Sequence, residues 1–381
     1  MDRTNSTYAA SCVTSSQIAE LFSGLVSSAP IWFDSLSGVV SVNTQARRLG
    51  CLIFLIGTIA KGRKLQSLLF SLPGGDLAAL KANLIGNGFT SGYLTQKASS
   101  IAHYLDAAVE LKLLVKQGSM FSLTNRARFL MDGIRPQSAS PYPLDPQTKV
   151  FLLHVLLGVD YFGLAAVVTS LLRGKGKLIQ IQREHQSQLL RVLEATTRGS
   201  SDSRLHRLAQ DRIIGIRNWK QPDSYSEHLV SAKLNWLVDL GIAKCAARSS
   251  SEFILDEKHE EWLRCFCQTI VPTEADITAH TLNYAKMIVP ESTREHESNT
   301  CSILGYAFSR LAHAGPLVKL RSVDVVLCFL CFFAPFLLRR IRSAVPLFPQ
   351  VTILCGPKIY KLTIASRSTQ SFVVCSKGED Q

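Results

Sequence analysis

Ile101-Ala102-His103-Tyr104-Leu105-Asp106-Ala107-Ala108-Val109-Glu110-Leu111-Lys112-Leu113-Leu114 shares its pattern with a second stretch, Val230-Ser231-Ala232-Lys233-Leu234-Asn235-Trp236-Leu237-Val238-Asp239-Leu240-Gly241-Ile242. At an offset of 129 residues Ile101 matches Val230, Leu105 matches Leu234 and Val109 matches Val238. Leu111 then matches Leu240, and Leu113 matches Ile242. Positions 101, 105, 108, 109 and 111–113 fit one face of a helix with 3.6 residues per turn that ends in a buried turn.

The segments after the two helices are also alike. The first copy continues Val115-Lys116-Gln117-Gly118-Ser119-Met120-Phe121-Ser122-Leu123-Thr124, then Arg126 and Arg128. The second continues Lys244-Cys245, a Ser-rich stretch, Phe253-Ile254-Leu255-Asp256, and a helix through Trp262 and Leu263. Each reads as a strand, a polar turn, an alternating strand and a cap that starts another helix. Helix, turn and hairpin in this order resemble the end of a winged-helix domain, a helix-turn-helix variant, over about 25 residues per copy. The resemblance implies preceding helices at Asp76–Asn87 and just before Lys97 in the first copy. A third, fainter copy has the apolar run 325–338 followed by Val351-Thr352-Ile353-Leu354, Gly356-Pro357 and Lys358-Ile359-Tyr360-Lys361-Leu362-Thr363-Ile364, a credible hairpin.

Pro and Gly punctuation divides the chain on either side of the two copies. Residues 1–72 form an N-terminal arm with a short helix from Gln17 to Leu25, then a helical segment. Residues 73–135 are the first module, with Asp76 as a helix N-cap. Four prolines between Pro136 and Pro146 make a linker. Residues 147–222 are a basic helical segment that opens with an apolar helix, Val150 to Leu172, broken near Gly158 and Gly163. Residues 223–270 are the second module and 271–381 a helical region with the third wing. The expected fold is mainly α with small β-hairpins, as tandem winged-helix-like modules joined by helical segments.

Charge separates these segments. The 381 residues carry a net charge of +13 although only 19% are Asp, Glu, Lys or Arg. Residues 172–220 hold eleven bases (173, 175, 177, 183, 191, 198, 204, 207, 212, 217, 220) against four acids, a net of +7. Residues 310–361 add eight bases against Asp324, while 252–297 hold ten acids against four bases. Basic segments of this kind suit phosphate contacts, and Gln, Asn and Ser reach base edges. The expected nucleic-acid contacts are therefore Lys97, His103, Lys116, Arg173, Lys175, Lys177, Arg204, Arg207, Arg212, Arg217, Lys220, Lys233, Asn235, Arg339, Arg340 and Arg342. Thr95, Gln96, Ser99 and Gln117 accompany the first module, and His228, Ser231, Lys244 and Arg248 the second.

Catalytic patterns fare poorly. With 46% hydrophobic residues the chain has ample material for a core, which excludes a wholly disordered protein. Gly174-Lys175-Gly176-Lys177 lacks the earlier Gly and the following Ser or Thr of a phosphate loop. His259-Glu260-Glu261 does not reach a second histidine at zincin spacing. Cys328-x-x-Cys331 and Cys265-x-Cys267 lack the convergent partners of a structural zinc site. The ten cysteines, with none between 51 and 245, read as small buried hydrophobes of a reduced, cytoplasmic protein. The apolar runs 49–60 and 325–338 fall short of the roughly 20 residues of a spanning helix and read as core.

The sequence thus points to a non-enzymatic nucleic-acid-binding protein without cofactor or metal. Duplex DNA is expected before RNA, with a module's helix in the major groove. The alternatives are a protein-interaction subunit of a larger nucleic-acid-processing or defence complex, and a membrane-associated protein anchored through 325–342.

Overall fold

The computed structural model describes residues 12–23, 26, 36–40, 48–61, 99–118, 120–134, 136, 144–246 and 249–289, the strands 317–321, 350–355, 358–367 and 370–377, and helical positions between 326 and 341. The expected helix at Asp76–Asn87, Thr95, Gln96, Lys97, Arg248, Arg339, Arg340 and Arg342 lie outside the described residues.

The protein is mainly α with small antiparallel hairpins. In chain order the helices are α1 (Ser15–Leu21), α2 (Leu49–Lys61), α3 (Ser99–Glu110), α4 (Asn125–Arg128), α5 (Pro146–Leu172), α6 (Leu178–Gly199), α7 (Ser203–Arg217), α8 (Pro222–Asp239), α9 (Glu260–Gln268) and α10 (Glu274–Ile288). The short hairpins are β1 (Leu114–Gln117) with β2 (Met120–Leu123), and β3 (Ala243–Ala246) with β4 (Ser249–Leu255). A four-stranded antiparallel sheet comes next, in the order β5 (Leu317–Arg321), β8 (Gln370–Lys377), β7 (Lys358–Arg367), β6 (Gln350–Cys355). The hairpin expected near 351–364 is present as β6 and β7, but it continues into β8 and β5 and so is larger than a two-stranded wing.

The repeat extends to individual hydrogen bonds. Leu113 N–H donates to Ala108 O (2.9 Å) and Ile242 N–H to Leu237 O (2.8 Å), the same pair shifted by 129 residues. Lys112 N–H to Val109 O (3.0 Å) and Gly241 N–H to Val238 O (2.9 Å) repeat the offset. Lys112 (φ 57°) and Gly241 (φ 74°) are both left-handed, so each helix ends in a Schellman turn that satisfies its last carbonyls and buries the next apolar residue. A strand then starts at once, at Leu114 and Ala243. Thr124 and Asp256 close the two hairpins with N–H bonds to Leu113 O (3.1 Å) and Ile242 O (2.9 Å), and each caps the helical turn after it.

Gly241 has room for a methyl group, its nearest neighbour being Lys149 Nζ at 3.6 Å, so its cost of substitution is backbone strain alone. Gly241→Ala is expected to lower stability by about 1–2 kcal/mol, and Lys112→Gly to cost far less or to stabilise. Urea denaturation midpoints check this, and equal effects at the two sites would contradict it.

The centre of the core is α5, 27 residues long and buried on every side. Asp145 caps it and Pro146 occupies its first turn. It is apolar and long enough to cross a membrane, and 94% of its most apolar window is buried inside the protein. Its helical geometry is interrupted between Gly158 and Gly163, at Asp160 (φ −133°, ψ 39°), where two helical stretches meet at a kink. Around it pack α6, α8, α9 and α10.

The N-terminal arm is docked. Thr14 and Gln17 form a capping box on α1, shorter than the expected Gln17–Leu25 helix. Val13 N–H donates to Asn283 Oδ1 (2.8 Å), and Asn283 Nδ2 donates back to Val13 O (2.9 Å). The run 49–60 is α2, tied to α8 where the Arg48 guanidinium and the Leu49 N–H converge on Asp239. The described apolar residues of the run 325–338, among them Leu327, Leu330 and Leu337, are core residues, and Phe329 meets Phe22 edge-on.

Candidate nucleic-acid interface

Helices α6 and α7 form a hairpin around a three-residue connection, 200–202. The N-cap Asp202 accepts from the Arg204 and Leu205 N–H groups and so starts α7. The apolar residues Ile181, Leu189 and Leu193 of α6 and Leu205, Ala209, Ile213 and Ile216 of α7 face the core, which leaves the basic positions outside. Gln186 Nε2 donates to Ile216 O (2.9 Å) and Arg217 Nη2 reaches Glu194 Oε1 (2.7 Å), so the two exposed stripes adjoin.

Of the predicted contacts, Arg173, Lys177, Arg204, Arg207, Arg217 and Lys220 are exposed along this hairpin and its two ends. Lys175 is half-exposed and paired with Glu184. Arg183, Arg191 and Arg198 are exposed too, and the contact set drawn from sequence left them out. Their spacing carried the signal: intervals of eight and seven residues keep all three within about 80° of one another on α6, over roughly 22 Å. Against these nine exposed bases, Asp211 is the one exposed acid among the described residues from 173 to 220.

Three expected contacts are corrected. Lys233 is 2% exposed: its ammonium is paired with the equally buried Asp160 at the α5 kink and lies 3.5 Å from Val39 O and 5.7 Å from the Trp236 ring centre. No phosphate reaches it there. Arg212 is partly buried and faces inward, its charge felt by Asp160 and Glu110. Asn235 spends its amide on Ser231 O (2.7 Å), within its own helix. Ser231, also expected to face nucleic acid, is buried. From Leu229 onward α8 is thus packed into the core, and that part of it, which carries Ser231, Lys233 and Asn235, presents no face to a major groove.

The wings are exposed. Lys116 on β1 stands with its ammonium 5.6 Å from the Phe121 ring centre, beside exposed Val115 and Gln117. Lys244 on β3 is exposed and paired with Asp256 (3.0 Å). His103 is half-exposed on α3, a helix that also carries the acids Asp106 and Glu110.

Beneath the hairpin, Asp160, Lys233, His185 and Arg212 line a cavity of about 20 Å³, under the segment Leu36–Val40. That volume is room for one water. Both His185 ring nitrogens are buried without a hydrogen-bond partner among the described residues, and burial with the nearby Lys233 charge depresses its pKa to about 3. Burial raises the Asp160 carboxyl above its ordinary value against the pull of Lys233.

Among the described residues no three His, Cys, Asp or Glu side chains are grouped as a metal site requires. The cysteines are not uniformly buried: Cys51 and Cys331 are, whereas Cys245 is exposed. No protein family, curated protein or solved structure matches this chain.

Proposed function

We propose that the protein binds nucleic acid, duplex DNA first, without catalysing a reaction, and that the basic face of the α6–α7 hairpin makes the contact. The observation that carries this reading is the excess of nine exposed bases over one exposed acid among the described residues from 173 to 220, the hairpin and its flanks. The two helix–turn–hairpin units support a winged-helix-like scaffold, with Lys116 on a wing as an outlying phosphate contact. Because α8 is buried from Leu229 onward, recognition runs through phosphates, which carry little sequence information.

A salt series tests it. If about five phosphates are neutralised, log affinity falls against log salt with a slope near −4.5. Replacing Arg183, Arg191 and Arg198 together with Ala is expected to flatten the slope by about 2.7, with the thermal unfolding midpoint unchanged because all three are exposed. Absence of binding at low salt overturns the proposal. A second reading, that the wings dock a protein, is favoured by the exposed Val115 and Ile254 on β1 and β4; co-purification that survives high salt and is lost in Ile254→Lys tests it.

A further inference from the structure

The turn between α7 and α8 carries two stacked aromatic rings at the surface. Trp219 and Tyr225 lie with ring centres 5.3 Å apart and planes 27° from parallel. Trp219 is partly buried and packed against the core, while Tyr225 is 51% exposed. The turn is held on both sides: Trp219 N–H donates to Ile216 O (3.2 Å), Tyr225 N–H donates to Gln221 O (3.1 Å), and Pro222 presets the first turn of α8. The rings are thus preorganised, and an exposed ring on an anchored one presents a flat apolar surface to solvent.

The surroundings of this stack are basic and polar. Lys220 lies in the turn itself, and Arg217 ends α7 just before it. Arg183 sits one turn before Gln186, whose amide binds Ile216 O, so the start of the basic stripe of α6 lies beside the same turn. The nearest acids on α8, Asp223 and Glu227, are each two residues from Tyr225, which places them about 160° around the helix. Flat aromatic surface beside cations suits a nucleobase whose own phosphates are held by those cations. A paired base inside a duplex cannot offer its face, so the platform needs a base that is out of the stack.

We propose that Trp219 and Tyr225 form a stacking platform for an unpaired nucleobase, so that the basic face binds a duplex best where it passes into a single strand. This rests on the reading of the α6–α7 face as a phosphate-binding surface and adds the form of nucleic acid it takes. The stripe from Arg198 to Arg183 tracks the duplex backbone, and the first unpaired base layers on Tyr225 as a third ring above Trp219.

The test compares a blunt duplex with the same duplex carrying a short single-stranded thymidine tail, at one moderate salt concentration. Wild type is expected to bind the tailed duplex about 5- to 100-fold more tightly, the range that stacking one base supports. Tyr225→Ala should abolish that gain and Tyr225→Phe should keep it. 2-Aminopurine as the first unpaired base should be quenched by wild type and Tyr225→Phe, and not by Tyr225→Ala. Tight binding of the blunt duplex with no gain from the tail overturns the platform alone. A gain that persists in Tyr225→Ala also overturns it. Failure to bind any of these ligands at low salt overturns the platform and the nucleic-acid reading together.

Discussion

Lys233→Met is expected to destabilise the protein by about 3–5 kcal/mol, a large part of the 5–15 kcal/mol that holds a typical domain together. The side chains of Lys233 and Asp160 are 2% and 3% exposed, so removing the ammonium strands a carboxylate in the core. A Cβ at Gly163 would lie 2.8 Å from Lys233 Cε, which shows how closely α5 and α8 approach at the pair. Asp160→Asn combined with Lys233→Met should recover much of the loss, because the charge is then gone with its partner. Urea unfolding of the two singles and the double closes the cycle. A single Lys233→Met variant within about 1 kcal/mol of wild type would show that the pair is not buried in solution.

Acid is expected to unfold the protein well before the carboxylates of an ordinary domain titrate. Four histidines are buried with depressed pKa values: His154 and His185 at about 3, His259 and His280 at about 4. Burial is the largest cause in each, with Arg126 adding at His154, Lys233 at His185 and Lys258 at His259, while Asp276 pulls the other way at His280. Their hydrogen bonds suit the neutral ring: His259 Nδ1 accepts from Trp262 Nε1 (3.1 Å), and His154 Nδ1 pairs with Thr281 Oγ1 (3.1 Å).

The unfolded chain takes up protons near pH 6.5 that the folded protein refuses, so this stability is present above that pH and is lost as pH falls toward 4. By pH 5 each histidine costs about 2 kcal/mol. Asp160 and Asp239, both raised by burial, oppose them in part and act in the same direction. Asp239 is the larger in this pH range: burial lifts its carboxyl to about 6 despite Arg48, so its preference for the folded state grows as pH falls from 7. Its contribution is about 1.5 kcal/mol at pH 5, against about 8 for the four histidines. The expected result is a steep fall in thermal midpoint between pH 6.5 and 5. His185→Leu should flatten it and raise the midpoint, since both ring nitrogens of His185 lack partners among the described residues. A thermal midpoint that stays level down to pH 4.5 would contradict this.

The helix–turn–hairpin repeat was legible because its causes are local. A left-handed residue after a helix wants glycine, and Gly241 is one; apolar residues at helical spacing bury one face; Thr124 and Asp256 are good caps. Lys112 shows the limit of that reasoning, because it adopts the same left-handed conformation (φ 57°) and a lysine in the sequence does not signal it. In the basic segment the amount of charge could be read in advance and its direction only in part. Arg204 and Arg207 came out exposed, as expected of a helix bearing them beside Leu205 and Ala209. Lys233 and Arg212 did not, because the carboxylate that draws them inward is Asp160, on another helix and 73 residues from Lys233. The Trp219–Tyr225 stack was not legible for a similar reason. Trp219 and Tyr225 are six apart with a proline between, a spacing that says nothing of stacking until the turn is closed.

The class of the fold, the two repeated units with their turns and caps, and the place along the chain where positive charge accumulates could all be read from the residues alone. These arise from periodicity, backbone preference and composition, which act within a few residues. Packing across the chain settles which bases meet water, that α8 from Leu229 onward has no free face for a groove, and that a buried Asp–Lys pair sits at the kink of α5. A side chain's burial depends on what packs against it from elsewhere in the chain, and periodicity along one helix cannot supply that information.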